Sequence, residues 1–261
     1  MSKIPKKRLD MLLLERGLAE TRAKAQAMIM AGEVTVNGDV IDKAGTPLAE
    51  NADIIVQNRP PFVSRGGEKL LGALRSFKFD VTGLVVVDVG ASTGGFTDCL
   101  LQYGAKKVYA IDVGYGQLAH KLRIDERVIV MERTNARYVE SLPEPIQLVV
   151  IDASFISLKI ILPAVTRWLA SPSDVIALIK PQFEAGKNDV GKGGVVRDKF
   201  THSRVLHEVL SNAQSLNFSI QALTLSPLKG PAGNIEFLVW LGWQRPPSVV
   251  LLDDLITQAL P

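Results

Sequence analysis

The sequence predicts a doubly wound α/β domain preceded by a small α+β module. Three observations carry that expectation. The chain has 261 residues, roughly 1.7 domains at about 150 residues each. From residue 84 onward, short β-branched runs alternate with helical stretches, the pattern of a parallel sheet wound with helices. Residues 1–59 follow another plan, two short helices and a hairpin, and residues 60–66, rich in proline and glycine, read as the linker to a second domain over 67–261.

Composition narrows the function classes. Hydrophobic residues make up 47% and charged residues 22%, which excludes fibrous and disordered chains. No apolar run approaches the roughly 18 residues that span a bilayer, so no membrane partner is expected. The start, Met-Ser-Lys-Ile-Pro-Lys-Lys-Arg, lacks the apolar stretch of a secretory signal, and the expected location is cytoplasmic. One cysteine, Cys99, and three scattered histidines, His120, His202 and His207, offer neither a disulfide nor a metal-ligand spacing, so no metal is expected. The net charge of +3 is too small to imply nucleic-acid binding, but its distribution is uneven. Residues 1–30 hold seven Lys/Arg against three acids, and Arg59, Arg65, Lys69, Arg75 and Lys78 at the join face Glu68 alone.

In the first module, Leu9, Leu12, Leu13 and Leu14 mark a short amphipathic helix stopped at Gly17. Thr21 is placed as the N-cap of a second helix with Ala23, Ala27, Met28 and Met30 on its apolar face and Gly32 at its end. The period then changes to two: Val34 and Val36 lead to Asn37-Gly38, a hairpin signal, and Val40-Ile41 begins the return strand. This run, KRLDMLLLERGLAETRAKAQAMIMAGEVTVNG, resembles an S4 RNA-binding domain. The resemblance implies that Arg8, Arg22 and Lys24, near the helix starts, contact RNA phosphates; Arg65 of the basic join is grouped with them. Arg8-Leu9-Asp10 also matches the Arg-Leu-Asp element of pseudouridine synthases, but it lies within the first S4 helix with no glycine ahead of it, and that reading is set aside.

In the second domain, residues 84–89 form a strand that runs into Gly90-Ala91-Ser92-Thr93-Gly94-Gly95 and then a helix from Phe96 to Gln102. The next strand, Val108 to Ile111, ends in Asp112, 22 residues past Gly90 and close to the ~20 of a ribose-binding carboxylate. The glycines do not fit the dinucleotide fingerprint, and no Gly-Lys-Ser/Thr is present. What remains is an adenosyl ligand without phosphates. Asp88 before the loop, backbone approach at Gly90 and Gly94, and Asp112 suit S-adenosylmethionine; Ala91, Ser92, Gly95, Phe96, Val113 and Asp152 complete the expected cofactor set. Further strands (128–131, 148–151, 175–179, 220–225, 237–241) alternate with helices at 158–169 and 200–216. Sites in such sheets lie past the carboxyl ends of strands, where Asp152 and Lys180 fall. Asp152-Ala153-Ser154-Phe155 is not the motif of exocyclic amine methylation, and no cysteine stands where a carbon-five pyrimidine enzyme needs one. By elimination the acceptor is an oxygen.

The stretches DVGASTGGF, IDAS, ALIKPQFE and NIEFLVW, with SRGGEKL near the boundary, resemble the FtsJ-type ribose 2′-O-methyltransferases. With an S4 module in front, the whole chain is similar to the TlyA family of ribosomal RNA methyltransferases, some of which are labelled hemolysins. The resemblance implies a Rossmann-like class I methyltransferase domain, ribosomal RNA or ribosomal subunits as partners, and cytidine as target. The family's Lys-Asp-Lys-Glu tetrad falls on Lys69, Asp152, Lys180 and Glu236. Thr93 stands where proline is common in the cofactor loop, with the glycines intact. A ribose hydroxyl needs a positioned group for its proton as the oxygen attacks. Lys180 is assigned as base or as orienting group: burial and Lys69 favour its neutral form, and the two carboxylates favour its charged form. Two other readings stand beside this one. A cytolytic protein is opposed by the missing export signal and spanning segment, and a non-catalytic RNA-binding assembly factor by the complete tetrad.

Overall fold

The computed structural model describes residues 6–56, 61–186, 189–246 and 250–261, and the chain divides into two units, Met1–Pro61 and Phe62–Pro261. In the first, β1 (Lys6–Arg8) runs into α1 (Leu9–Glu15) and α2 (Arg22–Met30), followed by β2 (Val34–Val36), β3 (Asp39–Val40), β4 (Pro47–Ala49) and β5 (Ile54–Val56). Thr21 caps α2, its side-chain oxygen accepting from the Lys24 amide at 3.2 Å. Asn37 and Gly38, at φ 51° and 93°, supply the two left-handed residues that a tight hairpin demands, so β2 pairs with β3, and β5 closes the other edge. β1 pairs with β4.

The core of this unit is Leu9, Leu12, Leu13, Ala25, Met28, Ile29, Val34, Val36 and Ile54 with Ala19. The expected apolar face of α2 is corrected here. Residues 25, 28 and 29 make the inward stripe, whereas Ala23, Ala27 and Met30 lie on the exposed side, Met30 at 74%. Both sets have helical spacing, and only contact with α1 selects one. Arg8 is the last residue of β1 and the N-cap of α1, not part of the helix. The strands β1, β4 and β5 are three residues long, too short for alternation to register in the sequence.

Pro60 of the expected linker, and Arg59 just ahead of it, lie outside the described residues. Phe62, inside that linker as read, is 4% exposed within the core of the second unit, and Gly67 is glycine because a side chain there would strike the Phe62 ring. The second unit therefore begins ahead of residue 67. It comprises α3 (Gly66–Phe77), β6 (Val85–Val89), α4 (Gly95–Gln102), β7 (Lys107–Ile111), α5 (His120–Arg123), β8 (Val128–Met131), a 3-10 turn (Ala136–Tyr138), β9 (Ile146–Ile151), α6 (Leu158–Val165), β10 (Leu169–Ile179), α7 (Pro181–Glu184), α8 (Lys199–Ser215), β11 (Phe218–Leu225), β12 (Phe237–Trp243) and α9 (Leu252–Ala259). Helix α3 was hidden by its Gly-Gly start, although Leu70, Ala73, Leu74 and Phe77 carry a helical period and are buried. The helix expected over 158–169 stops at Val165, because Leu169 already pairs with Ile146 as the first residue of β10.

The sheet order is β11-β12-β10-β9-β6-β7-β8. Strands β10, β9, β6, β7 and β8 are parallel, and β12 runs antiparallel between β10 and β11. Successive residues of a strand feed opposite faces. Val85, Val87 and Val89 enter a core with α6, α8 and α9, while Val86, Leu148 and Val150 enter another with α3 and α4. Both faces are covered, which is why the parallel strands read as continuous apolar runs. Strand order reverses beside β6, so the carboxyl ends of β6 and β9 part there and leave a crevice.

Candidate active site

The crevice holds two adjoining cavities, of about 450 and about 850 Å³. Gly90, Ser92, Asp152, Ser154 and Phe155 line both. Gly90 has φ 84°, and a β-carbon on it would come within 2.8 Å of the Asp152 carbonyl oxygen, so only glycine lets the loop after β6 pass the end of β9. The smaller cavity is walled by Ile111, Val113, Ala136, Ile156 and Ile161, with the Asp112 carboxylate among them. Asp112 accepts the Ser92 amide on Oδ2 and the Gly114 amide on Oδ1, both at 2.7 Å, which fixes its orientation and leaves each oxygen a further lone pair. An apolar slot with one oriented carboxylate suits an adenosyl group and its ribose hydroxyls.

Two expected cofactor residues take other places. Asp88 lines neither cavity: its Oδ2 accepts the Thr97 amide at 3.0 Å and the Thr97 hydroxyl at 2.6 Å, tying β6 to α4. Its Oδ1 is buried with no partner, and burial pushes the carboxyl up to about 7. Gly94 also lies outside both cavities; a side chain there would strike Leu118 and Leu122, so this glycine serves packing and its left-handed φ of 96°. Ala91, Gly95 and Phe96 line the larger cavity, and Val113 the smaller.

All four tetrad positions meet in the larger cavity. They form two ion pairs. Lys69, one turn into α3, contacts Glu236 Oε2 at 2.5 Å, with Glu236 1% exposed just ahead of β12. Lys180, at the end of β10, contacts Asp152 Oδ1 at 2.6 Å and donates a hydrogen bond to Ser154 Oγ at 2.9 Å. Gly230 lies against the Glu236 carboxylate, where a β-carbon would come within 2.5 Å of Oε1. The sequence did not single out Phe155, which is 90% exposed, has a left-handed φ of 63°, and packs its ring 4.9 Å from that of Phe183. Nor did it single out Ser154. Both directly follow Asp152 past the end of a strand, the rule that found Asp152 itself.

The proposed RNA contacts fall in two groups. Arg8 donates to both oxygens of Asp10 at 2.9 Å, and Arg22 donates to Oδ2 at 3.1 Å, with Gln26 adding a fourth bond. Asp10 is fully buried, and the Arg8 guanidinium holds its carboxyl well below the usual range. This acid gathers two half-exposed guanidiniums at one place and neutralises part of their charge. Lys24 pairs with Glu20 on the surface. Arg65 lines the larger cavity of the second unit and reaches the Lys229 carbonyl at 3.4 Å.

Strand order, antiparallel β12 and a crevice site at the ends of β6 and β9 define a class I S-adenosylmethionine-dependent methyltransferase. Residues 62–243 match the FtsJ-like methyltransferase family and residues 7–54 the S4 domain. The chain belongs to the TlyA family, FtsJ-like methyltransferases that carry an S4 domain, and its cofactor is S-adenosylmethionine. It is 51% identical over 245 residues to YqxC of Bacillus subtilis, provisionally named an rRNA methyltransferase, covering 91% of this chain and 86% of that one. It is 44% identical to the 16S/23S rRNA (cytidine-2′-O)-methyltransferase TlyA of Mycobacterium tuberculosis, covering 97% of each chain. A solved structure from Streptococcus thermophilus, provisionally named a hemolysin, is 42% identical with a TM-score of 0.74 over 98% of this chain and 96% of that one.

Proposed function

We propose that this chain methylates ribose 2′-hydroxyls of ribosomal RNA, at cytidine, in the cytoplasm. One observation carries the reading: the Lys69–Glu236 and Lys180–Asp152 pairs line one cavity, which shares Gly90, Ser92 and Asp152 with the slot suited to adenosine. Relatives named for this reaction support the substrate. Bound S-adenosylmethionine supplies an electrophilic methyl carbon. Lys180, held by Asp152, aims its N–H donors at the acceptor oxygen and stabilises the charge that grows there. Lys69, held by Glu236, adds a second positive charge on the same cavity. Phe155 offers an exposed ring at the junction on which a base can stack, and its left-handed backbone stores strain at that point. The test is a map of 2′-O-methyl positions on ribosomal RNA from cells with and without the gene. Loss of a methylated cytidine, restored by purified protein and S-adenosylmethionine on the unmodified subunit, is expected. Identical maps would overturn the reading.

A further inference from the structure

Lys180 has three N–H donors on a tetrahedral nitrogen. Asp152 Oδ1 lies 2.6 Å from the nitrogen as an ion pair but outside hydrogen-bond geometry, and Ser154 Oγ accepts one of the three at 2.9 Å. Among the described residues no other protein acceptor is hydrogen-bonded to this ammonium, and the lysine lines the larger cavity. With the ion pair alone, the ammonium could turn about its last carbon–nitrogen bond and its donors would point in no fixed direction. The hydrogen bond to Ser154 ends that freedom, since one pinned donor on a tetrahedral nitrogen whose carbon–nitrogen bond is fixed determines the directions of the other two. A hydroxyl also does this without adding negative charge. A second carboxylate in its place would cancel much of the positive field that a developing alkoxide needs. Ser154 is exposed, lines both cavities, and follows Asp152 by two residues, so one short segment after β9 supplies both the ion pair and the hydrogen bond of the ammonium, whose other neighbour is the Phe183 ring at 5.8 Å.

We propose that Ser154 is a positioning residue for methyl transfer, which pins one N–H of Lys180 so that another is aimed at the acceptor hydroxyl. The proposal rests on reading the site as a 2′-O-methyltransferase. The test is single-turnover methylation of the unmodified ribosomal subunit at saturating cofactor. Ser154→Ala is expected to slow transfer about 10-fold, the scale of a misaimed catalytic group. Its KM for RNA and its calorimetric affinity for S-adenosylmethionine are expected to stay within about twofold of wild type. Ser154→Thr, which keeps the hydroxyl, restores most of the rate. In a Lys180→Ala background, adding Ser154→Ala costs nothing further, because the serine acts through the ammonium. A wild-type rate in Ser154→Ala, losses that multiply in the double variant, or a slow variant that has also lost cofactor affinity would each overturn the proposal. An unmodified subunit that the wild-type protein leaves unmethylated sinks the reading of the site instead, a result distinct from an active wild type with an equally active Ser154→Ala.

Discussion

Lys180 and Lys69 are both cations on the larger cavity, but they are unequal probes of it. Glu236 is 1% exposed, so Lys69→Ala strands a buried carboxylate and is expected to cost several kcal/mol of stability along with activity. The side chain of Asp152 is 21% exposed and keeps access to solvent when Lys180 is removed. Lys180→Ala should therefore fold, bind S-adenosylmethionine near normally by calorimetry, and lose roughly 10²-fold or more in single-turnover rate. Lys180→Arg keeps charge and donors but cannot act as a base, so partial recovery in that variant marks an electrostatic role and no recovery marks a proton acceptor. An undiminished rate in Lys180→Ala would remove the tetrad from the reaction. Of these residues, the sequence showed chemical type and, for Asp152 and Lys180, position past a strand end. Pairing of Lys69 with a residue 167 positions away was beyond any local pattern.

Between elements, the contact that bears most on the cofactor loop is Asp88 to Thr97, which binds β6 to the first turns of α4. Its unpartnered oxygen costs more than the about 1–3 kcal/mol of a neutral buried polar atom when the group is charged. The carboxyl stands at about 7 in the folded chain against roughly 4 in an unfolded one. The folded state thus holds a proton that the unfolded state releases across that interval. Stability from this group is complete below about pH 4 and declines as pH rises through about 7. Asp88→Asn keeps an acceptor for Thr97 and removes the charge. Its thermal midpoint, relative to wild type, is expected to be a few degrees higher at pH 8 than at pH 5. Equal differences at both pH values, measured by scanning calorimetry, would contradict the protonation of Asp88. The same contact explains one misplacement: an acid at the end of a strand before a glycine loop looks like a ligand group, and burial on both faces of the sheet turned it inward.

At the scale of the whole molecule, RNA capture and methyl transfer are assigned to different units, so charge removed from the first should leave the cofactor chemistry of the second intact. Because Arg8 and Arg22 both compensate buried Asp10, neutralising them alone would strand that acid. The informative variant therefore carries Arg8→Gln, Arg22→Gln, Lys24→Gln and Asp10→Asn together. It is expected to bind ribosomal RNA more weakly and to flatten the slope of affinity against salt, by up to about 0.9 for each phosphate no longer neutralised, with S-adenosylmethionine affinity unchanged. An unaltered salt slope in filter-binding assays would make these side chains ordinary surface charges. The sequence by itself determined the two-part plan, the hairpin at Asn37-Gly38 and the strand–loop–helix at 84–102, because backbone sterics and hydrophobic period act over a few neighbouring residues; the tetrad was legible only through the resemblance to the FtsJ-type enzymes. Tertiary structure alone decided which face of α2 is buried, that Phe62 belongs to the second core, that Asp88 and Gly94 serve packing, and that Ser154 joins Lys180. Each of these depends on which distant element arrives alongside, and the free energy of packing between such elements leaves no period in the chain.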